Sequence, residues 1–299
     1  MIPEQPTHQT IAIAALTRFY NGTEPTDNAE IQRVIDDGIG KIKRDIMQHG
    51  KTWRPLMKTV HSVTVQNRRE YPNPSDFEAH YTVNLLTGNS GRIAASALAG
   101  APNVALDSLE LSSQAEAEGK VLLMTAGAAA GQVREIKGYN PATKVCTLVA
   151  GFSTALAALD KYMIVRDAPY LTFISAARYD QFRRAGRTGQ PVRFAHIPGD
   201  AEVGSMAFNP VPDAIYGVKV RYFADLTKLD MDSPVYQAVL RRWAGLFEQG
   251  VLAWKMQEDD DRYAEQQAVY QAMLLHTMAH DLVGFDVEKA QQAVMKGGA

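Results

Sequence analysis

The sequence predicts an α+β protein. Its expected architecture is a helical-bundle body with a C-terminal helical hairpin, short antiparallel strands, and an inserted small β domain. Three observations lead there. Apolar residues recur at three- and four-residue steps near both ends of the chain, as helices packed on one face require. β-Branched alternation interrupts these helical stretches. A Gly/Ala/Ser/Asn-rich stretch at 88–103 precedes a segment dense in strand signals. The expected division is a body of residues 1–87 and 167–299, with the β domain at 88–166.

At the N-terminus a helix fits Gln9 to Tyr20, stopped by Asn21-Gly22. Pro25-Thr26-Asp27 opens a second, whose apolar stripe is Ile31, Val34, Ile35, Ile39, Ile42 and Ile46; Gly50 ends it. Thr59–Val65 alternates and reads as a strand. Tyr71-Pro72-Asn73-Pro74-Ser75-Asp76-Phe77 reads as a rigid turn, because two prolines fix the backbone, with Phe77 anchored inward. The β domain should hold strands at 108–111, 119–125, 132–139, 144–149 and 161–165, with a hairpin turn at Tyr139–Thr143 and a loop at 154–159. A helix is expected over Thr172–Arg184 and strands over 192–197, 205–209 and 215–223. Ser233 then caps a helix with Pro234 at its first position. Val235, Val239, Leu240, Trp243, Leu246, Phe247, Val251 and Trp254 form its apolar stripe. A last helix carries Tyr263, Tyr270, Met273, Leu274 and Met278 on one face.

Composition bounds the function. A chain of 299 residues with 46% hydrophobic and 21% charged residues can bury a core without metal or disulfides. The single cysteine, Cys146, excludes an intrachain disulfide framework and fits a reducing compartment. A net charge of -2 argues against a dedicated nucleic-acid binder. No apolar run approaches membrane-spanning length, so no membrane partner is expected.

Motifs for chemistry are incomplete. His276 and His280 stand one helical turn apart, the spacing of a zinc pair, but Thr277 occupies the position where a metalloprotease needs Glu. The run Glu258–Asp261 lacks the glycine and distant Glu of a calcium loop and suits a helix start. No phosphate-binding glycine loop, dinucleotide fingerprint or nucleophile elbow occurs. Neither a catalytic residue nor a cofactor is expected.

Charge is more informative. Lys41, Lys43, Arg44, Lys51, Arg54, Lys58, Arg68 and Arg69 stand against one acid, Asp45, and a second cluster is Arg178, Arg183, Arg184, Arg187 and Arg193. Both read as solvated surface, or as an interface for an acidic protein, or as non-specific DNA contacts; the near-neutral chain favours protein over DNA.

The segment order resembles the head-to-tail adaptor (connector) proteins of tailed phages. The resemblance rests on the N-terminal helix pair, Tyr71–Phe77, Gly189-Gln-Pro-Val-Arg-Phe194, Phe208-Asn-Pro-Val-Pro-Asp213 followed by Tyr216-Gly-Val-Lys-Val-Arg-Tyr222, and the helical hairpin. Ala130–Asn140 is similar to a β module inserted in phage structural proteins. The resemblance implies a non-enzymatic virion protein assembled in the bacterial host cytoplasm. It would form a ring, a dodecamer, at the virion neck beneath the portal, continuing the DNA channel and meeting a tail or nozzle protein. Another neck ring, a terminator or nozzle, is the alternative; a metal-dependent hydrolase using His276 and His280 is a third reading. The C-terminal segment would reach the portal. There Phe285, Val287, Val294 and Met295 give enough apolar surface to anchor a peptide but too little to fold alone, with His280 and Asp281 near the hinge.

Overall fold

A computed structural model describes residues 7–107, 113–117, 120–166, 170–183, 186–199, 203–257 and 261–282. The chain begins with α1 (His8–Phe19), α2 (Asn28–Arg33), a π-helical turn (Val34–Ile39), α3 (Gly40–His49) and a 3-10 turn (Arg54–Leu56). It continues through β1 (Met57–Val63), β2 (Glu70–Pro72), β3 (Phe77–Arg92), β4 (Asn103–Ala105), α4 (Gln114–Ala117), β5 (Val121–Met124), β6 (Val133–Asn140), β7 (Val145–Leu148) and β8 (Lys161–Arg166). Then come β9 (Thr172–Phe173), α5 (Ala176–Arg183), β10 (Thr188–Gly189), β11 (Arg193–Ile197), β12 (Ser205–Asn209), β13 (Val211–Pro212), β14 (Gly217–Ala224), α6 (Pro234–Met256) and α7 (Tyr263–Asp281). These residues fall into two units, one of Met1–Lys58, Ser75–Ala79 and Tyr222–Ala299, the other of Thr59–Pro74 and His80–Arg221.

The first unit is helical because its sequence supplies both caps and stripes. Thr7 and Thr10 form a reciprocal capping box on α1, Asp27 caps α2 through the Ala29 amide at 2.9 Å, and the Ser233 hydroxyl accepts from the Tyr236 amide at 3.1 Å. The second predicted helix is real but contains the π turn. Its buried positions are Ile31, Val34, Gly38, Ile39, Ile42 and Ile46. Gly38 and Ile39 are adjacent and both buried, and the wide i→i+5 turn accommodates this extra residue on the packing face. Gly38 sits at this turn against Trp254, whose Cε3 would lie 2.9 Å from an added Cβ. On α6 and α7 the buried stripes include Val239, Leu240, Trp243, Phe247 and Val251, and Tyr270, Leu274 and Met278. Ion pairs Lys255–Glu30 (2.6 Å) and Arg18–Glu248 (3.0 Å) tie α6 to the N-terminal helices.

The second unit is built on strands. The eight-stranded sheet runs β1-β14-β3-β8-β5-β6-β7-β4, with β1, β3 and β14 each also carrying residues of the first unit. Within it β3 through β8 surround a core that includes Ile93, Val104, Leu122, Ile136, Cys146, Phe152 and Ile164. A four-stranded sheet, β2-β12-β11-β9, has Phe194 opposite Phe208, and α5 packs on its Ala195 and Ala207 through Tyr179.

These observations correct the expected fold class. The protein is mixed α/β, with extensive sheets framing its second unit; it is not a helical-bundle body with a small β insert. The individual strands at 59–65, 192–197, 205–209 and 215–223 were legible from alternation. Alternation is blind to pairing, however, and β14 joins β1 to β3 across long sequence separations. A second difference is local. Residues 88–92, expected as linker, form the end of β3, paired with β8 from Thr87↔Arg166 to Arg92↔Lys161. A third is that Thr172–Phe173 is a strand, so α5 begins only at Ala176. The expected strand at 108–111 lies outside the described residues.

Candidate functional site

The end of α7 is fixed by a buried carboxylate. Asp281 continues the stripe Tyr270, Leu274, Met278 by one more helical step, so it points into the unit and is 3% exposed. There it accepts from Arg242 Nε and Trp243 Nε1, each at 2.7 Å, and from Arg242 Nη2. Burial pushes its carboxyl pKa up, but these donors and the Arg242 and His280 charges outweigh that and hold it below the usual value. Next in the chain, Leu282 bridges Trp53 and lies against Gly50, where an added Cβ would come within 2.5 Å of it. The Trp53 and Trp243 rings meet edge-to-face at 5.3 Å. Asp281, expected near a hinge, is therefore clamped. The proposed docking residues Phe285, Val287, Val294 and Met295 lie outside the described residues.

Several members of the first basic cluster are already engaged within their own unit. Lys41, Lys43, Arg44, Lys51, Arg54 and Lys58 belong to the first unit, Arg68 and Arg69 to the second. Lys43 is drawn over the Tyr236 ring, its Nζ 4.3 Å from the centroid, and burial lowers its pKa. Lys51 pairs with Glu78 at 2.5 Å and Lys58 with Asp76 at 2.6 Å. Arg68 covers the Tyr71 ring at 5.1 Å, and Arg69 Nη1 donates to the Arg183 carbonyl at 3.5 Å. Lys41, Arg44 and Arg54 make no ion pair with a described residue, and the first two share a face of α3 three residues apart.

The second arginine cluster stays together. Arg178 and Arg193 both lie over the Phe182 ring, at 5.9 and 4.8 Å, and Arg69 reaches Arg183 at the end of α5. Arg178, Arg183 and Arg187 are exposed; Arg184 lies outside the described residues.

His276 and His280 are exposed on α7 with ring centroids 4.6 Å apart. No third His, Cys, Asp or Glu joins them among the described residues, whereas a catalytic zinc uses three protein ligands. Cys146 is buried, and burial pushes its thiol up to about 12.

Among the clefts of the second unit, two combine distant segments. One, of about 640 Å³, is lined by Arg92, Asp107, Lys161 and Asp213 among others, and Asp107 Oδ1 accepts from the Arg92 amide at 2.8 Å. The other, about 320 Å³ and more apolar, lies between β1 and β2 over Met206, Phe208, Val218 and Val220. Sequence reading missed both, because each is assembled from segments far apart in the chain.

His80 gives this unit a pH dependence. It packs 5.4 Å from Phe194 and 5.8 Å from His196, whose Nδ1 lies 3.3 Å from Asn73 Nδ2. Burial, with a smaller contribution from the His196 charge, lowers its pKa from 6.5 to about 4. The unfolded chain therefore binds the extra proton between these values, so stability is full above 6.5 and falls as pH drops toward 4. The expected slope from this group is at most about 1.4 kcal/mol per pH unit. Urea unfolding across that window should show it, and His80→Phe should reduce the slope by the share of this group, the remainder coming from His8, His61 and His196, whose pKa burial also lowers; an unchanged slope would exclude His80 as a contributor.

No helix among the described residues is long and apolar enough to cross a membrane. No protein-family model matches the chain, and no curated protein matches it.

Proposed function

We propose that this chain is a structural virion protein, a head-to-tail adaptor whose copies form a ring below the portal and whose C-terminal segment docks on it. One observation supports this beyond the sequence resemblance. The clamp on Asp281 and the Leu282–Trp53 bridge hold the base of that segment at a defined point of the helical unit. A tether that leaves from a fixed base keeps its apolar residues at high effective concentration near a docked partner. Phe285, Val287, Val294 and Met295 then anchor in a portal groove, exchanging chain entropy for contact. The remaining partners follow from the same reading: a tail or nozzle protein below, neighbouring copies at the sides in a dodecamer, and DNA passing through. The ring stands at the virion neck after assembly in the host cytoplasm.

Deleting residues 285–299 tests this. The truncated chain should melt as the full chain does and fail to bind isolated portal rings, giving filled heads that leak DNA. Undiminished binding by the truncated chain would place the docking surface elsewhere. Failure of the full chain to bind portal, with binding to tail rings instead, would replace the adaptor reading with a terminator or nozzle.

A further inference from the structure

The arginines around α5 lie apart in the chain from the segment proposed to dock on the portal. Arg69, Arg178, Arg183, Arg187 and Arg193 all belong to the second unit, and none makes an ion pair with a described carboxylate. Their linkage is direct: two guanidinium groups share the Phe182 ring, and a third chain, Arg69, reaches the Arg183 carbonyl. Asp180 and Glu70 bring negative charge close, as both act on Tyr179 together with Arg69 and Arg183. A guanidinium held near an aromatic face by its charge keeps N–H donors available for phosphate oxygens.

We propose that this arginine surface binds the phosphate backbone of double-stranded DNA without reading its sequence. An acidic protein would satisfy the same charges, so the deciding observation is what lies between them. The exposed residues of α5 are Ala177, Arg178, Asp180, Gln181 and Arg183, followed by Gly186, Arg187 and Thr188. No large apolar side chain is exposed on this helix face or the turn after it, and Phe182 lies beneath two arginines; the exposed apolar residues nearby, Val192 and Phe173, stand beside Arg193 on the sheet, so the polar, basic face is that of Arg178, Arg183 and Arg187. A protein interface needs an apolar core, whereas nucleic-acid interfaces are polar and strongly positive. The chain's net charge of -2 argues against nucleic-acid binding over the whole surface, but attraction at one patch is set within a Debye length of it and not by the total. The first basic cluster is the poorer candidate, with Lys43, Lys51 and Lys58 already engaged.

The test is fluorescence anisotropy of a mixed-sequence DNA duplex with the full chain, starting at about 50 mM salt. Binding should weaken steeply with salt and be the same for unrelated sequences. R178Q/R183Q/R187Q should weaken it by about tenfold or more and flatten the log–log salt slope by about 1 for each arginine that touched a phosphate. Lys41→Gln with Arg44→Gln should change nothing. If the triple variant fails to fold, Arg187→Gln alone, at an exposed position, must still reduce the slope. No duplex binding at low salt would overturn the proposal, as would a folded triple variant that binds like the parent. Equal affinity for polyglutamate would overturn it in favour of an acidic protein partner.

Discussion

Trp243→Ala is expected to destabilise the first unit by about 3–5 kcal/mol, the range for removing a fully buried large aromatic side chain. Trp243 is 3% exposed, meets Trp53 edge-to-face, and donates its indole N–H to Asp281. Truncation leaves a cavity beside Trp53 and removes a donor from a carboxylate that burial already disfavours. Trp243→Phe separates the two effects. It keeps most of the packing and deletes the hydrogen bond, so it should cost less, about 1–3 kcal/mol. Denaturant unfolding followed through the remaining tryptophans measures both. If Trp243→Ala leaves the unfolding midpoint unchanged, Trp243 is not part of the core and the clamp on Asp281 does not matter to stability.

Gly88→Ala should be nearly as damaging. A Cβ at this position would lie 1.8 Å from the carbonyl oxygen of Ile164, so β3 and β8 would have to separate. Backbone cannot swing aside as the tip of a side chain can, and about 3 kcal/mol is expected from such overpacking. Gly131→Ala is the control. Nothing lies within 4 Å of its added Cβ, and only its positive φ of 86° opposes the change, which limits the loss to about 1–2 kcal/mol. Thermal unfolding of the two variants should rank them in that order. Equal midpoints would mean that β3 does not run through residue 88.

The same glycine explains one failure of sequence reading. Gly88-Asn89-Ser90-Gly91-Arg92 looks like linker because it has no apolar residue to alternate; here the missing side chain of Gly88 is what lets the two strands approach. Helix boundaries were legible where caps act locally, as at Ser233-Pro234, and so were strands whose alternation faces a sheet, as at Arg193–Ile197 and Ser205–Asn209. The π turn was hidden in what looked like a regular stripe, since Ile31, Val34, Ile35 and Ile39 follow the ordinary three- and four-residue steps. For the basic run at 41–69, charge counted along the chain could not reveal that Tyr236, Glu78 and Asp76 occupy three of its lysines. Asp281 did leave a sign, an acid standing where the apolar stripe of α7 calls for another buried residue. The arginines of 178–193 are close in sequence and remain close in space, so there the linear reading survives.

The order in which the chain passes between its units also bears on its birth. The helical unit needs Met1–Lys58 together with Tyr222–Ala299, whereas everything in the other unit has been made by Arg221. During synthesis at about 5–20 residues per second, α1 to α3 therefore wait on the order of ten seconds for α6 and α7. Through that interval the isoleucine face at Ile31, Ile39, Ile42 and Ile46 has no hairpin to cover it. The nascent chain thus carries an apolar N-terminal helix past a sheet-forming segment before its own partner exists, a natural substrate for ribosome-associated chaperones.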